Sequence, residues 1–238
     1  MTTTAKFWGI VPAAGVGKRM NANRPKQYLL LSETQTVLEH TLTRLCDAQI
    51  FEKIVVAISD GDEYWDDLPI SKHDKIIRAN GGKERADSVL NALTAIESQA
   101  NLKDWVLVHD AARPCITTHD IHNLIAELRD DEMGGILALS SHDTLKDVDD
   151  DNQIVSTLNR NRIWRALTPQ MFRYGALKSA LEFTQGNAEI TDEASALEAQ
   201  GFSPKIVEGR SDNIKITRPE DLALAQFYLA QQTKTQET

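Results

Sequence analysis

Phe7-Trp8-Gly9-Ile10-Val11-Pro12-Ala13-Ala14-Gly15-Val16-Gly17-Lys18-Arg19-Met20, continued by Arg24-Pro25-Lys26-Gln27-Tyr28, joins a short apolar run to a loop rich in glycine and cations. The run Phe7–Val11 predicts a first β-strand. Gly15 and Gly17 let the backbone approach a ligand closely and adopt positive φ. Lys18, Arg19, Arg24 and Lys26 follow at the end of that strand. There they suit a polyanion such as a nucleoside triphosphate, whose phosphates are recognised by Arg and Lys.

Two commoner phosphate loops do not fit this spacing. A Walker-type loop needs G-x-x-x-x-G-K-[ST]. Here Gly15 and Gly17 lie too close together, and Arg19 follows Lys18. The dinucleotide fingerprint needs a third glycine where this chain has Met20, and Glu33 and Glu39 have no strand end to hold them.

The rest of the chain alternates strand and helix signals. Helices are predicted over Val37–Leu45, Arg85–Ile96, Thr118–Leu128, Ala176–Phe183 and Asp192–Ala199, where apolar residues recur at three-to-four spacing. Ile54–Ile58, Ile76–Ile77, Trp105–Val108, Gly135–Leu139, Pro204–Val207 and Ile214–Ile216 read as strands. This order predicts an α/β, Rossmann-like, mostly parallel sheet with helices on both faces. A last helix is expected from a Thr217/Glu220 capping box to about Gln231.

Thr144–Val148 and Ile154–Leu158 flank Asp149-Asp150-Asp151-Asn152 and predict a protruding hairpin arm with an acidic tip. Asp147, Asp149 and Asp151 are followed by Asn152 rather than glycine, which speaks against a calcium loop. With no linker or internal repeat, residues 1–238 are expected to form one domain carrying an inserted arm at about 140–160.

Composition narrows the function classes. The 238 residues are 41% hydrophobic and 26% charged, with a formal net charge of −9, which disfavours general nucleic-acid binding. Cys46 and Cys115 lack metal or redox spacing and fit a reducing cytoplasm. No long apolar segment follows Met1–Lys6, so neither a signal peptide nor a membrane anchor is expected.

The strings P-A-A-G-V-G-K-R-M and R-P-K-Q-Y-L resemble the sugar and polyol phosphate nucleotidyltransferases, and among them the bacterial 2-C-methyl-D-erythritol 4-phosphate cytidylyltransferases. The likeness recurs at G-G-K-E-R-A-D-S-V, V-H-D-A-A-R-P, T-L-K, T-P-Q, I-T-D-E-A-S-A-L-E and V-E-G-R-S-D-N-I-K-I-T-R-P-E-D-L, across almost the whole chain. It implies the fold of nucleotide-diphospho-sugar transferases. It also implies transfer of a cytidylyl group from CTP to methylerythritol phosphate, with release of pyrophosphate. The family departures are Lys83, where relatives often carry Asp, and Asn159, where many carry an acid.

By resemblance, Arg19, Lys26 and Lys215 stabilise the reacting phosphates. Ala13, Ala14, Gly15, Gly17, Gly82, Arg85, Ser88 and Ala111 hold the nucleotide. Arg113, Thr144, Arg160 and Thr191 hold the polyol phosphate, with Thr144 and Arg160 reaching across a homodimer of interlocking arms. Asp110 and Asp212 bind Mg2+. The residues alone give plainer readings for several of these. Thr191, Asp192 and Glu193 suit a helix N-terminus, and Lys215 alternates with Ile214 and Ile216 as on a strand. The closest competitor, a ribitol 5-phosphate cytidylyltransferase, usually has H-D-S-V-R-P where this chain has His109-Asp110-Ala111-Ala112-Arg113-Pro114. A competitor of another class is a nucleotide-binding regulator without catalysis.

Overall fold

The computed structural model describes residues 5–15 and 24–236. Strands β1 (Phe7–Pro12), β2 (Phe51–Ile58), β3 (Ile76–Asn80), β4 (Trp105–Val108), β5 (Gly134–Ser140), β8 (Trp164–Arg173) and β9 (Lys205–Glu208) form a seven-stranded sheet in the order β3-β2-β1-β4-β8-β5-β9. β8 alone runs antiparallel to its neighbours β4 and β5, and the remaining pairings are parallel. The mostly parallel α/β sheet expected from the alternating pattern is therefore the architecture observed.

Side-chain alternation builds the two layers. Ile54, Val56 and Ile58 face one side of β2, with Leu38 and Leu42 of α1 (Val37–Asp47) and Ile121 and Leu124 of α3 (Thr118–Leu128). Val55 and Ala57 face the other side, with Val89 and Leu93 of α2 (Arg85–Ala95) and Leu177 and Leu181 of α4 (Tyr174–Phe183). β2 and β4 are covered on both faces, which is why each reads as a continuous apolar run. Thr36 and Thr117 cap α1 and α3 in capping boxes with Glu39 and Asp120.

One strand goes unread in the sequence and two expectations are corrected. β8, ten residues long, is not legible as a strand: its first three residues are exposed, and Pro169 lies inside it, a residue that ordinarily argues against a strand interior. Ile214–Ile216 is not a strand; this segment is tied to the core by Ile216 N–H donating to the Ala112 carbonyl at 2.8 Å. The cap of α6 (Pro219–Gln236) is made by Asp221, whose carboxylate accepts from the Thr217 and Arg218 backbone N–H groups at 2.8 and 2.9 Å, and not by Glu220.

The arm is a separate two-stranded sheet of β6 (Lys146–Val148) and β7 (Ile154–Thr157), every residue of it exposed. Asp149 organises its tip by accepting from the Asp151 and Gln153 N–H groups at 3.0 and 2.8 Å. Among the described residues, no helix is long and apolar enough to cross a membrane.

Candidate active site

The order β3-β2-β1-β4 reverses direction of growth at β1, so a crevice opens beyond the carboxyl ends of β1 and β4, where open α/β sheets bind ligands. A cleft of about 290 Å³ lies there, and Ala13, Ala14, Gly15, Gly82, Ala111 and Lys215 are among its walls.

Its apolar end is held by backbone contacts. Ala13 N–H donates to the Ala57 carbonyl at 2.9 Å, and the Ala13 carbonyl accepts from Gln27 Nε2 at 2.7 Å. The Ala14 carbonyl accepts from Ser59 Oγ at 2.7 Å. Two glycines are required opposite. A Cβ on Gly81 would sit 2.2 Å from Ala14 Cβ, and one on Gly82 2.2 Å from Asp87 Cβ. Ser88 is buried in the first turns of α2, where its Oγ accepts from Gly82 N–H at 2.9 Å and donates to the Glu84 carbonyl at 3.1 Å. Ser88 thus shapes the glycine loop at the cleft wall.

The charged end centres on Asp110, which is 7% exposed at the end of β4. Arg85 Nε approaches its Oδ1 at 3.1 Å, while Lys215 Nζ and Arg113 Nε approach Oδ2 at 2.8 and 3.5 Å. Burial alone would raise its pKa, but Arg85, Lys215 and Arg113 together hold the carboxyl well below the usual range. Arg113 is anchored in turn by donating from Nη1 to the Asn213 carbonyl at 2.7 Å. Lys26 stands on a short 3₁₀ turn, Lys26–Tyr28, and donates to the Ile216 carbonyl at 2.8 Å. It meets Lys215 and Asp110 at the same cleft.

His109 is fully buried with both ring nitrogens occupied, Nε2 near the Arg113 carbonyl at 3.1 Å and Nδ1 near Thr168 Oγ1 at 3.0 Å. Burial pushes its pKa down to about 4. It is a neutral structural group under the site.

Arg85, Asp110 and Lys215 also line a second cleft of about 210 Å³, with Arg113, Thr168 and Thr191. Thr191 reaches this cleft, but the N-cap of α5 (Glu193–Glu198) is Asp192, which accepts from Ser195 N–H at 2.9 Å. Glu193 does not lie along the helix dipole as a surface charge. It is completely buried, and its two oxygens accept from Arg85 Nη1 and Nη2 at 2.6 and 3.0 Å.

Other expected site residues lie elsewhere. Asp212 is paired with Arg210 and accepts from Gln232 Nε2 at 3.1 Å, and the lining of neither cleft includes it. Thr144 and Arg160 belong to the exposed arm, where Arg160 Nη1 donates to the His142 carbonyl at 2.9 Å. Gly17 and Arg19, with Lys18, fall outside the described residues. Sequence reasoning missed Gln27, Thr168, Gln170 and Glu193. The available signal for Glu193 was Arg85, a cation at the positive end of α2, which calls for a buried anion nearby.

The donor set limits any metal. Among the described residues, no group of three or more His, Cys, Asp or Glu is arranged to hold one. Asp110 alone fits magnesium in the mode where one carboxylate is joined by substrate phosphates and water.

Comparison with known proteins agrees with this geometry. The family model described as 2-C-methyl-D-erythritol 4-phosphate cytidylyltransferase matches residues 8–231. A relative of that name from Aliivibrio fischeri strain ES114 is 51% identical over 235 residues, covering 98% of each chain. Another from Vibrio cholerae is 54% identical over 222 residues, covering 93% of this chain and 95% of the relative. The crystal structure of the Francisella tularensis 2-C-methyl-D-erythritol 4-phosphate cytidylyltransferase superposes with a TM-score of 0.82 at 42% identity, covering 94% of this chain and all of that one.

Proposed function

The chain belongs to the 2-C-methyl-D-erythritol 4-phosphate cytidylyltransferase family, and on that premise we propose that it joins CTP to 2-C-methyl-D-erythritol 4-phosphate, forming 4-diphosphocytidyl-2-C-methyl-D-erythritol and pyrophosphate. The observation that carries this reading is the meeting of Lys26, Lys215 and Asp110 at one cleft whose other end is walled by Ala13, Ala14 and Gly82.

The nucleophile is a phosphate monoester with a second pKa of about 6, so at neutral pH it is already mostly dianionic. No general base is needed, and His109 is sealed away from such a role. The difficulty is the approach of two anions, which positioning and fixed cations relieve. Lys26 and Lys215 neutralise the α-phosphate and the leaving pyrophosphate, with Arg19 completing the set. Backbone groups at Ala13, Ala14, Gly15 and Gly82 border the cytosine, and Ala111 closes the floor.

Arg113 and Thr191 hold the polyol phosphate in the second cleft. Thr144 and Arg160 of a second copy complete it through interlocked arms. The exposed Val148, Ile154 and Val155 supply apolar surface for such a homodimer. When bound at Asp110, Mg2+ spreads triphosphate charge. Free, widely separated cysteines and the acidic net charge favour a cytoplasmic enzyme acting on small molecules, not on nucleic acid.

The test is pyrophosphate release with CTP and Mg2+, comparing methylerythritol phosphate with ribitol 5-phosphate. Turnover with the former is expected. Turnover confined to ribitol phosphate would replace the substrate, and none with either would remove the activity.

A further inference from the structure

We propose that Glu193 is a positioning residue of the reaction, acting through Arg85: it clamps the guanidinium in the wall between the two clefts and keeps it from turning onto the substrate phosphates. Arg85 lines both clefts, so its orientation bears on both substrates. Its Nη1 and Nη2 donate to the two Glu193 oxygens at 2.6 and 3.0 Å, and its Nε donates to Asp110 at 3.1 Å. Paired, fork-to-fork geometry of this kind fixes direction as well as distance.

The clamp is itself braced. Gln170, 1% exposed on β8, accepts from Ala194 N–H at 3.0 Å and donates to Asp192 Oδ2 at 2.8 Å. The amide thus holds the residues on either side of Glu193, and α5 cannot slide without breaking both bonds. A chain of contacts runs from β8 through α5 to Arg85 and Asp110, and Asp110 then holds Lys215. Glu193 touches no reacting atom on this view. Its effect is to set the direction of one cation, and through Asp110 the place of a second.

The charge arithmetic explains why a clamp is useful. Arg85, Arg113, Lys215 and Lys26 converge on one region, and a long flexible cation beside a triphosphate binds it in more than one pose. Arg85 tied to two carboxylates offers a wall. Arg85 released offers a competing phosphate site.

This inference rests on the proposed reaction, and the experiment separates the two. Glu193→Gln keeps the shape and one acceptor but removes the charge. The expected result is a kcat lower by roughly 10- to 100-fold, the scale of a misplaced group, with KM for CTP unchanged or lower and the thermal midpoint of the fold retained. Arg85→Gln should lower kcat as well, and the double variant should be no worse than the poorer single one, because both act on one contact. Wild-type kcat in Glu193→Gln, a raised KM for CTP alone, or effects that multiply in the double variant would each overturn the proposal. If Glu193→Gln fails to fold, Arg85→Lys carries the same test, since lysine keeps the charge but cannot bridge both carboxylates. CTP affinity by calorimetry reads the clamp without turnover. If the wild type turned over no polyol phosphate, the reaction would fall, while tighter CTP binding in Glu193→Gln would still support the clamp and unchanged or weaker binding would overturn it.

Discussion

At the carboxyl ends of β1 and β4 charged side chains are buried, whereas on the β6–β7 arm apolar side chains are exposed. Asp110, Arg113 and Glu193 are sequestered and paired; Ile154 and Val155 are 66% and 64% exposed. Each arrangement is costly for an isolated chain. Buried charge costs desolvation that pairing only partly offsets, and exposed apolar surface forgoes burial. The cleft offsets its cost within the chain, through Arg85, Lys215 and Gln170. The arm has no such internal partner among the described residues, and on the proposed reading the offset comes from a second copy. The two regions therefore differ in what completes them, and mutations should affect them differently.

The largest effect is expected at Asp110. Asp110→Asn leaves Arg85, Arg113 and Lys215 facing one another without their shared anion. Removing one partner of a buried ion pair typically costs about 3–5 kcal/mol, so chemical denaturation should show a loss of that order together with loss of turnover. An unchanged unfolding midpoint would mean that the cations re-pair or hydrate, and the cleft would not be pre-organised by this carboxylate.

Lys26→Ala separates chemistry from stability. Its side chain is only half-buried at the cleft, with a bond to the Ile216 carbonyl among its contacts, so the fold should be little affected. The proposed role predicts a fall in kcat of roughly 10²- to 10³-fold, the scale of losing one transition-state donor. Near-normal turnover in steady-state kinetics would remove Lys26 from the reacting phosphates.

His109 tests the buried side by pH. Its pKa falls from 6.5 to about 4 on folding, because burial disfavours the charged ring. The unfolded chain therefore binds the extra proton first. The contribution to stability is complete above the unfolded value and is lost as pH falls from about 6.5 towards 4, amounting to about 3 kcal/mol at most. Urea midpoints should decline through that window in the wild type and decline less in His109→Gln. Parallel declines would assign the acid sensitivity to other groups.

The same contrast explains what could be read from the chain alone. Thr118–Leu128 was legible because the apolar spacing gives its buried face, and the structure adds the Thr117/Asp120 capping box that starts it. Asp110 and Lys215 were legible as motif residues. Glu193 was not, because a Glu in a first helical turn has an adequate local explanation, and its partner Arg85 lies 108 positions away. Asp212 presents the opposite case. Its position near Lys215 suggested the cleft, but Arg210, two residues before it, takes the carboxylate. A pairing across 108 positions decided the first case and one across two positions the second, and neither follows from helical or strand periodicity. β8 was hidden because its first three residues are exposed and Pro169 lies inside it.

The smallest effect on the chain's own stability, and the most informative about the arm, is expected from Val155→Asp. Val155 sits on β7 and is mostly exposed, so the substitution should change the stability of the folded monomer by no more than about 0.5 kcal/mol. A charge placed in an apolar contact between copies has a different consequence, since it must be desolvated without a partner. Sedimentation should then show the wild type as a dimer and the variant shifted towards the 26.5 kDa monomer. KM for the polyol phosphate should rise more than KM for CTP, because Thr144 and Arg160 of the second copy would leave the second cleft while the nucleotide cleft stays whole. A variant that remains dimeric would show that the arm's apolar face is not the contact. A monomeric variant with unchanged KM for the polyol phosphate would show that the cleft, like its buried charges, is complete within one chain.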